Sequence, residues 1–142
     1  MLDTMIGSVF DRHELGQVDL VVGLEARGFL FGVPIADALN AGFSMARKPG
    51  KLPIPAIEES YSLEYGTNTL QMGEDAVQPG QRVLIVDDLL ATGGTALAAA
   101  RLVDRLGGKV VGALFLIELV SLEGRTRLQN AGIPVCSVLK YD

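Results

Sequence analysis

Short, nearly uninterrupted apolar runs recur along the chain at residues 18–23, 43–47, 83–86, 109–118 and 133–141. Runs of that kind predict strands buried on both faces. Between them the apolar positions fall at helical spacing. Leu2, Met5, Ile6 and Val9 predict an amphipathic helix over 2–14, weakened by Gly7 and ended by Gly16. A second helix is predicted over 28–41, with Leu30, Val33 and Leu39 on its buried side and Pro34 near its first turn or kinking it. A third places Ala96, Ala99, Ala100, Val103 and Leu106 on one face, leaves Arg101, Asp104 and Arg105 outside, and stops at Gly107-Gly108. A fourth, over 121–131, has Ser121 as its expected cap. Strands that alternate with helices imply an α/β fold, a mostly parallel twisted sheet covered by helices.

One region breaks the alternation. Residues 48–60 carry Pro49, Pro53 and Pro55, with Gly50 and the acidic pair Glu58-Glu59, which rules out a continuous helix or central strand. Residues 61–65 and 69–72 then predict a small hairpin across Gly66-Thr67-Asn68, and Pro79-Gly80 turns into the next strand. Residues 48–72 are therefore expected to form a flexible loop with a small hairpin, inside a single domain spanning 1–142.

Composition narrows the chemistry. The 142 residues are 49% hydrophobic and 20% charged, with a formal net charge of -5. No basic stretch is present to neutralise a nucleic-acid backbone, so an anionic ligand must be held by local groups. The single cysteine, Cys136, cannot form an internal disulfide; it lies in an apolar run, where packing is the expected role and a cytoplasmic location the expectation. His13 has no partner spaced for a metal or a triad and is expected at the surface. No apolar run approaches the roughly 18 residues of a membrane span, and no signal-peptide pattern opens the sequence.

The densest chemistry lies in residues 82–95, RVLIVDDLLATGGT. An apolar strand is expected to end at the carboxylates Asp87 and Asp88, and Ala91-Thr92-Gly93-Gly94-Thr95 leads into the alanine-rich helix. Consecutive small residues let several backbone N–H groups point into one concavity, where the helix dipole also favours an anion. Thr92 and Thr95 add hydroxyl donors. Asp87 and Asp88 are near enough to hold sugar hydroxyls or a hydrated Mg²⁺ on the same ligand. The triphosphate-binding pattern GxxxxGK[ST] does not fit, because no lysine follows Gly94. In open α/β sheets ligands collect beyond the carboxyl ends of strands, and the first strand also ends in a charged, glycine-flanked turn, Gly23-Leu24-Glu25-Ala26-Arg27-Gly28-Phe29. Read alone, that turn is equally well an ordinary strand–helix connection with a surface ion pair.

The string VDDLLATGGT, with EARGFLFG, RKPGKLP and YSLEYG in that order, resembles the type I phosphoribosyltransferases, in particular the bacterial adenine-specific branch, from about Val18 to Tyr141. The resemblance implies a type I phosphoribosyltransferase fold with a flexible lid loop. It also implies transfer of a phosphoribosyl group from phosphoribosyl diphosphate (PRPP) to adenine, giving AMP and diphosphate in purine salvage, in a Mg²⁺-dependent homodimer. By position it assigns Glu25, Ala26 and Arg27 to a diphosphate-gripping loop with a cis peptide at Glu25–Ala26. Arg47, Lys48 and Lys51 become diphosphate contacts, one or more reaching a neighbouring subunit, and Glu64 and Tyr65 become lid residues. Asp87 and Asp88 would hold the ribose and stabilise developing positive charge, Ala91, Thr92, Gly93, Gly94 and Thr95 would hold the 5′-phosphate, and Leu89 and Leu90 would lie against the base. Glu64 is the expected proton-handling group at the purine, and Mg²⁺ is expected to be bound mainly through PRPP and water.

Relatives of this kind carry a longer segment before the first strand, which hoods the adenine. Here about twenty residues precede it, so residues 1–16 are expected to form a short helix in place of a full hood; a natural short form, a truncated gene and an engineered minimal enzyme all fit. Other readings stay open on the residues alone. They are a PRPP-binding regulatory module with little turnover, a transferase for another nucleobase, and a non-catalytic dimerising fragment whose first strand is left uncovered.

Overall fold

The computed structural model describes residues 16–63 and 66–142. The helix expected over 2–14, His13, and Glu64 and Tyr65 lie outside the described residues. The remaining strands join in one seven-stranded sheet. In chain order they are β1 (Leu20–Leu24), β2 (Gly42–Arg47), β3 (Ala56–Leu63), β4 (Gly66–Gly73), β5 (Arg82–Leu90), β6 (Lys109–Leu119) and β7 (Val135–Tyr141). The helices are α1 (Gly28–Leu39), α2 (Gly94–Arg105) and α3 (Gly124–Asn130).

Across the sheet the order is β3-β4-β2-β1-β5-β6-β7. From β2 to β7 every pairing is parallel, as the apolar runs require, with Val21 opposite Leu84 and Val22 opposite Ile85. Side chains alternate across this plane. Val21, Leu84 and Val86 pack with Ile35 and Ala36 of α1 on one face; Val22, Val83 and Ile85 pack with Ala98, Ala99, Leu102 and Val103 of α2 on the other. β1 is fully covered, with Val21 and Val22 inaccessible to solvent.

The packed side of α1 differs from the expectation. Leu30 and Val33 are 72% and 51% exposed, while Gly28, Gly32, Ile35 and Ala36 face inward. The absence of side chains explains it. A Cβ on Gly28 would stand 2.8 Å from the Val86 carbonyl oxygen, and one on Gly32 would stand 2.7 Å from the Phe43 ring. The helix approaches the sheet along its glycines, a face that hydrophobic spacing cannot register. Pro34 lies in the interior of α1, beyond its first turn.

The hairpin is longer than the sequence predicts. β3 starts at Ala56 and pairs antiparallel with β4 from Ala56↔Gly73 to Leu63↔Gly66, while β4 pairs antiparallel with β2 at Ala46↔Met72 and Arg47↔Gln71. Leu70 and Met72 are buried beneath it. Arg105 at the end of α2 donates from Nη1 to the Glu58 carbonyl oxygen at 2.7 Å and meets Glu59 at 3.3 Å, so the edge strand lies along α2. Ser121 does not cap α3. It belongs to a short 3₁₀ turn, Val120–Leu122, and the residue before α3 is Glu123 at φ 60°, with no side-chain cap. Glu123, in the left-handed region, separates that turn from the helix, so Ser121 lies three residues before the start of α3. Gly124, the first residue of α3, lies so close to the Ala91 carbonyl oxygen and Leu90 that no Cβ fits there.

Candidate functional site

β1 and β5 are neighbours, yet the helices that follow them cover opposite faces of the sheet. A crevice therefore opens between their carboxyl ends, the place where α/β sheets bind ligands. It holds a cavity of about 310 Å³ into which Glu25, Arg27, Lys48 and the whole stretch Asp87 to Thr95 project.

On one side lies the β5 loop. β5 runs on to Leu90, so Asp87 and Asp88 lie within the strand rather than at its end; the ladder to β6 continues through Asp87↔Phe115 to Leu90↔Glu118. Beyond it, Gly93 takes φ 88°, which a residue with a side chain adopts only with strain, and α2 begins at Gly94 with no side-chain cap. The first N–H groups of a helix have no partner within it, so this end of α2 faces the cavity as a donor surface. The loop is supported from behind. A Cβ on Gly93 would stand 3.2 Å from the Gly124 carbonyl oxygen. Beside Gly124, Arg125 holds the buried Glu118 in a two-point ion pair at 2.7 and 3.2 Å and donates to the Val135 carbonyl oxygen. Ser137 also donates to Glu118 at 2.7 Å, and these bonds, Arg125 foremost, hold that carboxyl below its ordinary range despite burial.

The acidic pair is electrostatically unequal. Asp87 Oδ1 accepts the Asp88 backbone N–H at 2.8 Å, and Asp88 pairs with the Arg27 guanidinium at 2.9 Å. Burial, and then the carboxylate of Asp88, push Asp87 up to about 8, against the opposing pull of that N–H and of Arg27. Near neutral pH the pair accordingly retains a proton.

The turn after β1 organises the opposite side. Its peptide Glu25–Ala26 is cis. The Glu25 side chain is only 6% exposed, and it gathers cations instead of facing an anion: Arg47 Nε donates to it at 2.8 Å, Lys51 Nζ lies 3.6 Å away and the Lys48 backbone N–H is at 3.4 Å. Burial raises its pKa, but the Arg47 hydrogen bond, the Lys48 N–H and the charges of Lys51 and Arg47 together bring it below the ordinary value. Arg47 also lies over the Phe29 ring, 5.7 Å from its centre, and Phe29 meets Phe43 edge-on.

Of the residues singled out in the sequence, Glu25, Arg27, Lys48, Asp87, Asp88, Leu89, Leu90, Ala91, Thr92, Gly93, Gly94 and Thr95 converge on the cavity. Leu90 is mostly core, buried with Val83 and Phe115. Ala26 is exposed on the turn, and Arg47 and Lys51 stand on Glu25 outside the cavity lining. Among the described residues no group of three His, Cys, Asp or Glu side chains forms a metal cluster. Tyr61, Asn68 and Phe115 line the cavity without having been singled out. Arg127, also missed, brings Nη1 to 3.7 Å from where a Cβ of Gly94 would stand. Tyr61 opens the string YSLEYG and Asn68 lies in the predicted hairpin turn, yet neither was assigned to the site; the four arrive from β3, β4, β6 and α3.

Comparison with known proteins gives a consistent picture. Residues 4–129 match the family described as the phosphoribosyl transferase domain. The chain is 55% identical over 136 residues to an adenine phosphoribosyltransferase of Desulfitobacterium hafniense, covering 96% of this chain and 78% of that one. It is 58% identical over 132 residues to one from Yersinia pestis, covering 93% and 71%. The crystal structure of adenine phosphoribosyltransferase from Rhodothermus marinus superposes with a TM-score of 0.89 at 50% identity, over 99% of this chain and 77% of that one. No helix among the described residues is long and apolar enough to cross a membrane.

Proposed function

This chain belongs to the phosphoribosyl transferase family, and from that premise we propose that it transfers the phosphoribosyl group of PRPP to adenine, giving AMP and diphosphate. The carrying observation is one cavity that places a strand-borne acidic pair and a glycine loop opposite Glu25, Arg27 and Lys48, with Arg47 and Lys51 paired to Glu25 just behind its lining. Adenine N9 attacks the ribose C1 as its bond to diphosphate breaks, and positive charge develops on the sugar. Asp87 and Asp88 hold the ribose hydroxyls, and the negative charge left on the singly protonated pair stabilises that positive charge. The N–H groups of the loop from Ala91 to Thr95, at the head of α2, take the 5′-phosphate. Arg27, Lys48 and Lys51 neutralise the leaving diphosphate, with Arg47 held in place by Glu25. Because Arg27 is 74% exposed while paired with Asp88, moving it to the diphosphate exchanges a weak surface pair for ligand contacts.

Glu64 takes the proton lost from adenine, with Tyr65 as its companion in the same motif, and Leu89 and Leu90 serve the base side. Mg²⁺ held by Asp87 and Asp88, chiefly through water and substrate oxygens, would supply further neutralising charge; two carboxylates with no third beside them suit an ion held in that way. The same reading makes the protein a cytoplasmic homodimer. Cys136 forms no disulfide among the described residues, which is compatible with a reducing compartment, and the exposed Leu30 and Val33 offer apolar surface for a subunit interface.

A regulatory module without turnover is disfavoured by relatives named as enzymes, and an uncovered fragment by the complete burial of β1. The direct test mixes the protein with PRPP, Mg²⁺ and each nucleobase and follows nucleotide formation. AMP from adenine alone is expected. PRPP binding without product would favour the regulatory module, product from another base would reassign specificity, and no PRPP binding would end the proposal.

A further inference from the structure

Tyr61 and Thr95 are 34 residues apart, yet the Thr95 hydroxyl donates to the Tyr61 hydroxyl at 3.1 Å at the edge of the cavity. Several contacts fix Tyr61 there. Its backbone pairs with Asn68 in the β3–β4 ladder, its ring packs on the main core, and its Cδ2 would lie 3.2 Å from a Cβ on Gly94. The Arg105 bond to Glu58 holds the same strand against α2 three residues away. The phenol thus contacts the first two residues of α2 from a strand that plays no other part in the loop.

We propose that Tyr61 is a positioning residue for the 5′-phosphate, acting by directing the hydroxyl proton of Thr95. This rests on the reading that the phosphate lies on residues 91–95. A threonine hydroxyl has one proton and a tyrosine hydroxyl has one. A phosphate dianion only accepts, so the Thr95 proton must turn toward it and leave the bond to Tyr61. The phenol then reverses and donates to Thr95 Oγ1. The result is a chain, Tyr61 O–H to Thr95, Thr95 O–H to phosphate, in which each bond polarises the next and Oγ1 keeps a fixed direction. Both side chains stay in place while the bond changes polarity, so phosphate arrival needs no rearrangement of the loop. A phenylalanine would fill the same space without holding Thr95.

The experiment compares two ligands, one for each side of the cavity. Ribose 5-phosphate and inorganic diphosphate are titrated calorimetrically into wild type, Tyr61→Phe, Thr95→Val and the double variant, each checked for native fold by circular dichroism. Tyr61→Phe is expected to weaken ribose 5-phosphate about three- to tenfold, the range that one net hydrogen bond spans, and to leave diphosphate unchanged. On the Thr95→Val background Tyr61→Phe is expected to have no further effect. Equal weakening of both ligands, weakening of neither, or additive effects in the double variant would overturn the role of Tyr61 while leaving the phosphate loop assignment standing. If Thr95→Val itself binds ribose 5-phosphate normally, the Thr95 hydroxyl is not a phosphate contact and this inference falls, whereas failure of wild type to bind ribose 5-phosphate at all would end the loop assignment as well.

Discussion

The two sides of the cavity handle charge in opposite ways. The β5 side is built from backbone: a strand, a glycine loop wedged against Gly124, and the open end of α2, with one carboxyl of its acidic pair kept protonated by burial. The β1 side is built around one buried carboxylate, Glu25, which draws in the cationic side chains of Arg47 and Lys51 and the backbone N–H of Lys48 and is held below its ordinary range by them. The difference shows how a chain of net charge -5 accommodates a polyanion. Fixed N–H dipoles need no counter-charge and can stand ready in an empty site. Cations in an empty site repel one another, and an internal anion such as Glu25 holds them until the ligand replaces it in part.

Asp88→Asn tests the β5 side most severely. On the proposed mechanism it removes charge that stabilises the ribosyl centre, and it breaks the ion pair to Arg27, so kcat/KM in the AMP-forming assay should fall roughly 10²- to 10³-fold; undiminished turnover would sink the assignment of the acidic pair. Glu25→Gln comes next. It keeps the shape of the β1 side but frees its cations, and it should raise KM for PRPP about tenfold, near 1.4 kcal/mol, with little change in KM for adenine. An unchanged KM for PRPP would show that the cations need no anchor.

The pH dependence of thermal stability should separate the two sides by sign. Asp87 is raised in the fold from 3.8 to about 8, so its contribution is complete below pH 4 and is lost as pH rises through 8. Glu25 is lowered, so its contribution is complete above its ordinary 4.5 and lost as pH falls through its lower folded value. Melting curves from pH 3 to 9 should therefore show Asp87→Asn gaining relative to wild type toward alkaline pH and Glu25→Gln gaining toward acid. Parallel curves would refute the contrast. The smallest effect is expected for Arg105→Ala, which removes an exposed tie between α2 and β3 and should cost about 0.5–1.5 kcal/mol in denaturant unfolding, without altering diphosphate binding.

Particular residues mark how far the sequence could be read. The order of strands and helices was legible because parallel strands buried on both faces must be apolar throughout, and the loop after β5 because consecutive small residues before a helix have few other uses. The inward face of α1 was hidden, since Gly28 and Gly32 pack by lacking side chains. The tight start of α3 was hidden because Gly124 packs there against Ala91, 33 residues away in the chain. Glu25 was legible as part of the site; its task of holding cations was visible only once Arg47 and Lys51 had been brought to it.

By itself, then, the sequence determined the α/β alternation, the two loops at the carboxyl ends of β1 and β5, and the residue types that face an anion there, all properties of local pattern. The tertiary structure alone decided which charges cancel, that burial raises Asp87, and that Tyr61 reaches Thr95. These depend on burial and on distances of a few ångströms between segments far apart in the chain, and such distances exist only after the sheet has ordered its strands.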